Sequence, residues 1–194
     1  MPSFSTLAAL LVLVVSPAAL AGGESLPEVF RSSFYSGEVH SLADCSSNVW
    51  RLIGRSVEAG ADLSRAHVLY VLKPTTDDLQ SVSDLRRLHP RHARFGVGAV
   101  TIPWVFHVVL ENDGVIYDLD FHRAPRPLKT ADYFAEMFSP AERRATVLRV
   151  ISAEAYWRDY RPGSDESLNW MAYVFDTHRL YSLISLGRFE SFGK

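Results

Sequence analysis

The 194-residue sequence contains a single cysteine, Cys45. An internal disulfide is therefore excluded, and the thiol must be buried and inert, paired with another chain, or reactive. Charge of one sign is also in short supply. Lys and Arg number 20 against 22 Asp and Glu, a net charge of −2. That balance provides neither a nucleic-acid surface nor a face for a strongly charged partner. Internal repeats and low-complexity linkers are missing, which excludes a repeat architecture. The one long apolar run, Leu7 to Leu20, is broken by Ser16 and Pro17. It is too short to cross a hydrocarbon core of ~30 Å as a helix, so no membrane span is expected.

That run reads instead as the h-region of a secretory signal peptide. Ala19-Leu20-Ala21 is a small-residue cleavage site of the A-x-A kind, and Gly22-Gly23-Glu24 follows. Lys and Arg are absent from the first residues, leaving the terminal amine as the only positive charge. No cysteine follows the small residues, so a lipid anchor is not expected. Residues 1–21 are then a leader, and residues 22–194 a single catalytic domain, exported to a periplasm or the exterior and acting as a monomer. A composition of 47% hydrophobic and 22% charged residues suits one globular core. Oxidising compartments endanger an exposed free thiol, so a lone cysteine there invites a chemical explanation. The competing reading is a small core residue.

Residues 24–43 form a lead-in without a clear pattern. Asp44 suits an N-cap, and a helix is predicted from Cys45 to about Ala59. Val49, Trp50, Leu52, Ile53 and Val57 fall near one face of it, and Gly60 suits the C′ position. Ala66 to Leu72 reads as a buried strand, stopped by Lys73-Pro74. Residues 75–98 are polar, and their basic stretch, Arg86 to Arg94, reads as a solvated loop. Trp104 to Leu110 and Val115 to Leu119 are two strands around Glu111-Asn112-Asp113-Gly114, a strong hairpin signal. Thr130 to Phe138 looks helical. Ser139-Pro140-Ala141-Glu142 carries a capping box that starts another helix, with a strand by Val147. Residues 161–164 are a loop, and Leu180 to Phe189 a final strand or helix.

A nucleophilic thiol needs its negative charge stabilised, and the first turn of a helix offers N–H groups and a favourable dipole. Cys45 follows a predicted N-cap directly. The same N–H groups can hold the oxyanion of a tetrahedral intermediate. The thiolate also needs an imidazole, and the imidazole an orienting acceptor. Of seven histidines, His107 stands apart, because it lies inside an apolar strand where a polar ring needs partners. Its hairpin mate carries Asp118 and Asp120. A two-residue turn places His107 opposite Asp120 with Asp118 diagonal, and a shifted turn or four-residue loop reverses those places. Both carboxylates then share the His107 side, and the hairpin leaves the choice open. Without a catalytic partner, His107 would be a satisfied core histidine and Asp120 a strand-end surface carboxylate. His89 and His92 have metal-like spacing, but no third ligand accompanies them and neighbouring arginines repel a cation, so no metal is expected. Tyr156, Trp157 and Tyr160 read as packing residues.

Cys45-Ser46-Ser47-Asn48-Val49-Trp50 resembles the C-x-x-N-[IV]-W helix start of the protein N-terminal glutamine amidohydrolase family. Trp104 to Leu110 is similar to that family's W-x-Y-H-V-V-L, and Ile116-Tyr117-Asp118-Leu119-Asp120 to its I-Y-D-L-D. Arg149 to Tyr156 is similar to R-V-I-x-A-D-S-Y, with Glu154 in place of Asp, and Leu180 to Leu183 to a closing Y-[ST]-L. Ser46 and Ser47 stand where the family often has acidic residues. The resemblance runs in order over residues 43–192. It implies an α+β fold with a papain-like or transglutaminase-like core, in which an N-terminal helix carrying the cysteine packs on an antiparallel sheet carrying His and Asp. It implies Cys45 as nucleophile, His107 as base and Asp118 as orienting acid. The implied reaction converts an N-terminal Gln of a protein or peptide to Glu with release of ammonia, and needs no cofactor. Two other classes compete. One is a secreted protein glutaminase for internal Gln, or a peptidase or transglutaminase of the same fold class. The other is a non-catalytic exported binding domain, in which Cys45 would be buried with no His–Asp pair facing it.

Overall fold

The computed structural model describes residues 23–41, 44–92, 96–97, 100–101, 103–162, 166–176 and 180–192. The leader assigned to residues 1–21 lies outside them, as do 163–164 of the expected 161–164 loop. Along the chain come α1 (Leu26–Phe34), α2 (Cys45–Glu58), β1 (Ala66–Leu72), a 3-10 turn at Val82–Asp84, β2 (Gly96–Val97), β3 (Val100–Thr101), β4 (His107–Asn112) and β5 (Val115–Tyr117). They are followed by β6 (Leu128–Lys129), α3 (Thr130–Met137), α4 (Pro140–Ala145), β7 (Val147–Ser152), α5 (Ala153–Asp159), α6 (Glu166–Val174), β8 (Ser182–Ser185) and α7 (Leu186–Phe192). Six strands form one antiparallel sheet in the order β6-β5-β4-β1-β7-β8, and β2 pairs with β3 separately. The class is α+β.

The sheet separates two cores. Val68, Tyr70, Leu72, Val108, Leu110 and Ile151 pack with α1, α2, α5 and α6. Leu69, Val71, Val109, Ile116 and Leu148 pack with α3 and α7. This is the two-residue alternation of strands buried on both faces, and it explains why β1 reads as a continuous apolar run. Burying each of these aliphatic side chains contributes about 1.5–3 kcal/mol relative to exposure.

Helix α2 begins where the sequence predicts, because Asp44 accepts a hydrogen bond from the Ser47 N–H at 3.3 Å. It ends at Glu58, and Gly60 follows in the left-handed conformation at φ 77°. Its buried face carries Val49, Leu52 and Ile53, whereas Val57 is exposed, contrary to the expected face. Ser56 takes the buried place next to it and satisfies its hydroxyl on the Leu52 carbonyl at 2.8 Å. Asn48 is fully committed: Ser41 N–H donates to its Oδ1 at 2.7 Å, and its Nδ2 donates to the Ser41 carbonyl at 2.8 Å. The lead-in is thereby fastened to the first turn of α2. That lead-in contains α1, whose signature is Ser25 and Glu28 in a capping box with Pro27 between them.

The hairpin turns on two residues, Asp113 and Gly114, both at positive φ (51° and 77°). This is the chemistry expected of a tight hairpin turn. Pairing runs Asn112↔Val115, Glu111↔Ile116, Leu110↔Tyr117. The first strand starts at His107 rather than Trp104, because Trp104 pairs with Leu88 through two main-chain bonds of 2.7 and 3.0 Å. The second strand stops at Tyr117, two residues short of the expected end. Only half of the expected capping box forms at α4. Ser139 receives the Glu142 N–H at 3.2 Å, while the Glu142 carboxylate takes Lys73 Nζ at 2.7 Å. The C-terminal segment holds both a strand, β8, and a helix, α7. Replacing Asn48 by Ala is expected to cost about 2–4 kcal/mol of stability, because it strands two main-chain groups of Ser41. Urea unfolding monitored by circular dichroism would measure it.

Candidate active site

Cys45 is the first residue of α2, and His107 the first residue of β4. Helix α2 packs directly on β4, which brings the two residues to the same end of the sheet. The Cys45 thiol lies within electrostatic reach of the His107 ring, and the ring's Nε2 lies 2.9 Å from Asp118 Oδ2. An ionised carboxylate can only accept, so Nε2 carries the proton and Nδ1 is the nitrogen left for sulfur. Cys45 is half-buried, while His107 and Asp118 are 2% and 3% exposed. Trp104 stacks on the imidazole, with ring centroids 4.1 Å apart.

The two-residue turn makes Asp118 the diagonal neighbour of His107, and yet Asp118 is its partner. The ladder ends at Tyr117, so the chain is free to turn the Asp118 carboxylate toward the ring. Three donors hold that carboxylate: His107 Nε2 on Oδ2, the Tyr133 hydroxyl on Oδ2 at 2.6 Å, and the Asp120 N–H on Oδ1 at 2.8 Å. Tyr133 comes from α3, and nothing in its local sequence marks it for this role. Asp120 is not the surface carboxylate expected. It is 8% exposed, because His40 from the lead-in covers it with Nε2 2.8 Å from Oδ1.

Burial alone would push the His107 imidazole down. The Asp118 charge and hydrogen bond, with the contact to Cys45, outweigh burial and hold it well above the ordinary histidine value. Tyr133 is pushed well above the usual phenol range by burial and by the Asp118 carboxylate. It therefore stays a neutral donor at physiological pH.

The thiol side is held just as firmly. Tyr156, read from sequence as a packing residue, donates its hydroxyl to the Ser46 carbonyl at 3.1 Å, and Tyr70 bonds Tyr156 at 3.2 Å. Tyr160 lies 3.3 Å from the Ser47 hydroxyl, and Trp50 donates to the Trp157 carbonyl at 3.1 Å. These contacts lock α5 against the first turn of α2. Among the described residues, the N–H groups of Cys45 and Ser46 have no acceptor, as expected of the first turn of a helix.

Among the described residues, no group of three or more His, Cys, Asp or Glu side chains could hold a metal ion. His92 stacks on His122, with centroids 4.8 Å apart. No helix among the described residues is long and apolar enough to cross a membrane. No protein-family model matches the sequence, and no curated protein matches it. The arrangement can therefore be judged on its chemistry: a half-buried thiol at a helix start, an imidazole in contact with it, and a buried carboxylate behind the imidazole.

A raised imidazole has a definite consequence for stability. The contribution of the His107–Asp118 pair is complete below the unfolded histidine value of about 6.5 and is lost as pH rises through the higher folded value. Stability should therefore fall from neutral pH upward, and Asp118→Asn should flatten that fall. In the same variant the His107 titration, followed by NMR of the ring carbons, should move to lower pH because only Cys45 then opposes burial. Tyr133→Phe should cost about 1.5–3 kcal/mol in urea unfolding, the worth of a hydrogen bond to a buried charge.

Proposed function

We propose that the protein is a thiol hydrolase with a papain-like catalytic centre, which deamidates the N-terminal glutamine of proteins or peptides. The contact series from Cys45 through His107 to Asp118 carries this reading. The likeness of three sequence segments to the N-terminal glutamine amidohydrolase family supports the choice of bond. A binding domain that had lost its chemistry would have no need to keep a half-buried thiol against an oriented imidazole.

In the proposed reaction the Cys45 thiolate attacks the side-chain carboxamide carbon of glutamine. The carbonyl oxygen becomes an oxyanion, which the N–H groups at the start of α2 stabilise. Collapse breaks the C–N bond, and His107 Nδ1 gives its proton to the departing ammonia. A thioester remains on Cys45. His107, now neutral, takes a proton from water as the water attacks the thioester. The second collapse breaks the C–S bond, yielding glutamate and the thiolate. Throughout, Asp118 keeps Nε2 protonated, so that Nδ1 is always the nitrogen that exchanges protons. No cofactor is required. Residues 1–21 are proposed to export the protein, so its substrates would be met outside the cytoplasm.

The test offers the purified protein two peptides, one with a free N-terminal Gln and one with acetylated, internal Gln. Ammonia release and a mass gain of ~1 Da mark deamidation, the carboxamide NH2 being exchanged for OH. The expected result is turnover of the free N-terminal Gln, lost in Cys45→Ala and reduced about a hundredfold or more in His107→Ala. Turnover of internal Gln would reassign the protein as a general glutaminase, and silence on both would remove the deamidation reading.

A further inference from the structure

Three carboxylates lie close to the Cys45–His107 pair in sequence or contact, and they differ in how far they are committed. Asp44 spends Oδ1 on the Ser47 N–H and Oδ2 on Arg51 at 3.4 Å. Asp118 spends both oxygens on three donors. Asp120 spends Oδ1 on His40, while Oδ2 accepts no hydrogen bond among the described residues. That oxygen is not among the buried unpartnered atoms, and the side chain keeps 12% of its surface exposed. It is a recessed carboxylate oxygen with solvent access and an open valence for a donor.

Its place is fixed from two sides. Through its own N–H, Asp120 touches Asp118, one contact from His107. Through His40 it touches the lead-in five residues before Cys45. Tyr133 lies within electrostatic reach of Asp118, Asp120 and Cys45 together. His40 must donate to a carboxylate, so the bond orients Asp120 without removing its charge. A fixed anionic oxygen in a recess, beside a thiol–imidazole pair, is a receptor for a cationic donor.

Resting on the hydrolase reading above, we propose that Asp120 receives the α-ammonium of the substrate glutamine and thereby selects an N-terminal over an internal residue. In glutamine only Cγ, Cβ and Cα separate the carboxamide carbon from the α-nitrogen. A receptor for that nitrogen must therefore lie near the catalytic pair, and Asp120 is joined to His107 through Asp118. An internal or acetylated glutamine presents an uncharged amide there, and leaves the recessed carboxylate desolvated without a counter-charge.

Binding and turnover test this separately. Binding of a free N-terminal Gln peptide and its acetylated form to Cys45→Ala is measured by calorimetry, where no turnover is needed. The free-amine peptide should bind about 10- to 100-fold more tightly, the worth of one charge-assisted hydrogen bond. Adding Asp120→Asn, which keeps the shape and the His40 contact, should abolish that preference. Equal affinities without Asp120→Asn, or a preference that survives it, overturn the assignment. In protein that retains Cys45, Asp120→Asn should lower kcat/KM for the free-amine peptide mainly through KM, with the His107 titration confirming an intact pair. An equal loss on both peptides with a lower unfolding midpoint would make Asp120 a structural partner of His40 and overturn the assignment. Binding of the free amine through Asp120 without any ammonia release would support the assignment and refute the hydrolase reading instead.

Discussion

Everything at this site depends on how one buried carboxylate is satisfied. Asp118 is removed from water, and an ionised carboxylate there is tolerable only with donors on its lone pairs. It finds them on three separate pieces of chain: His107 on β4, Tyr133 on α3, and the N–H of Asp120 just beyond β5. The carboxylate thus ties the hairpin to the helix on its far side. It also fixes the imidazole tautomer and the direction in which the second ring nitrogen points. Loss of any donor would leave charge uncompensated in a medium where compensation from solvent is absent.

The thiol is positioned by a second set of contacts. Asn48 fastens the lead-in to α2, Asp44 caps the helix, and Tyr156 of α5 and Tyr160 just after it brace its first turn. None of these groups touches Asp118. The sulfur side and the imidazole–carboxylate side meet at the Cys45–His107 pair and are linked a second time by the His40–Asp120 bond. Packing of α2 on β4 aligns them, and that packing is apolar. Such a division lets the hydrophobic core set the approach distance while hydrogen bonds set orientation on each side.

Much of this was legible in sequence where the signal was local. The α2 start, β1, the hairpin and the identity of Cys45 and His107 follow from caps, alternation and a polar residue in an apolar strand. The partner of His107 was not legible from register alone. Pairing placed Asp120 opposite and Asp118 diagonal, and the deciding fact was the early end of β5 at Tyr117. Tyr133, His40 and Tyr156 reach the site from distant segments, and no spacing rule links them to it. Helix α6 went unread because its apolar residues have no sharp helical stripe and lie between loops. Val57 and Ser56 show the same limit at smaller scale: periodicity gives the face, and neighbours decide its edge. The capping box at Ser139 half-failed because Lys73, far away in sequence, offered Glu142 a better partner.

The two-residue turn at Asp113-Gly114 has a bearing on how this chain can change over generations. Strand parity beyond a hairpin depends on loop length to the single residue. One inserted or deleted codon there would exchange the two faces of β5, from Val115 to Tyr117, and swing Asp118 away from His107. The long connection between Leu72 and His107, by contrast, imposes no register between the strands it joins. Drift in length should accumulate in that connection, while the shortest loop of the sheet stays frozen by the His107–Asp118 contact that its length sets.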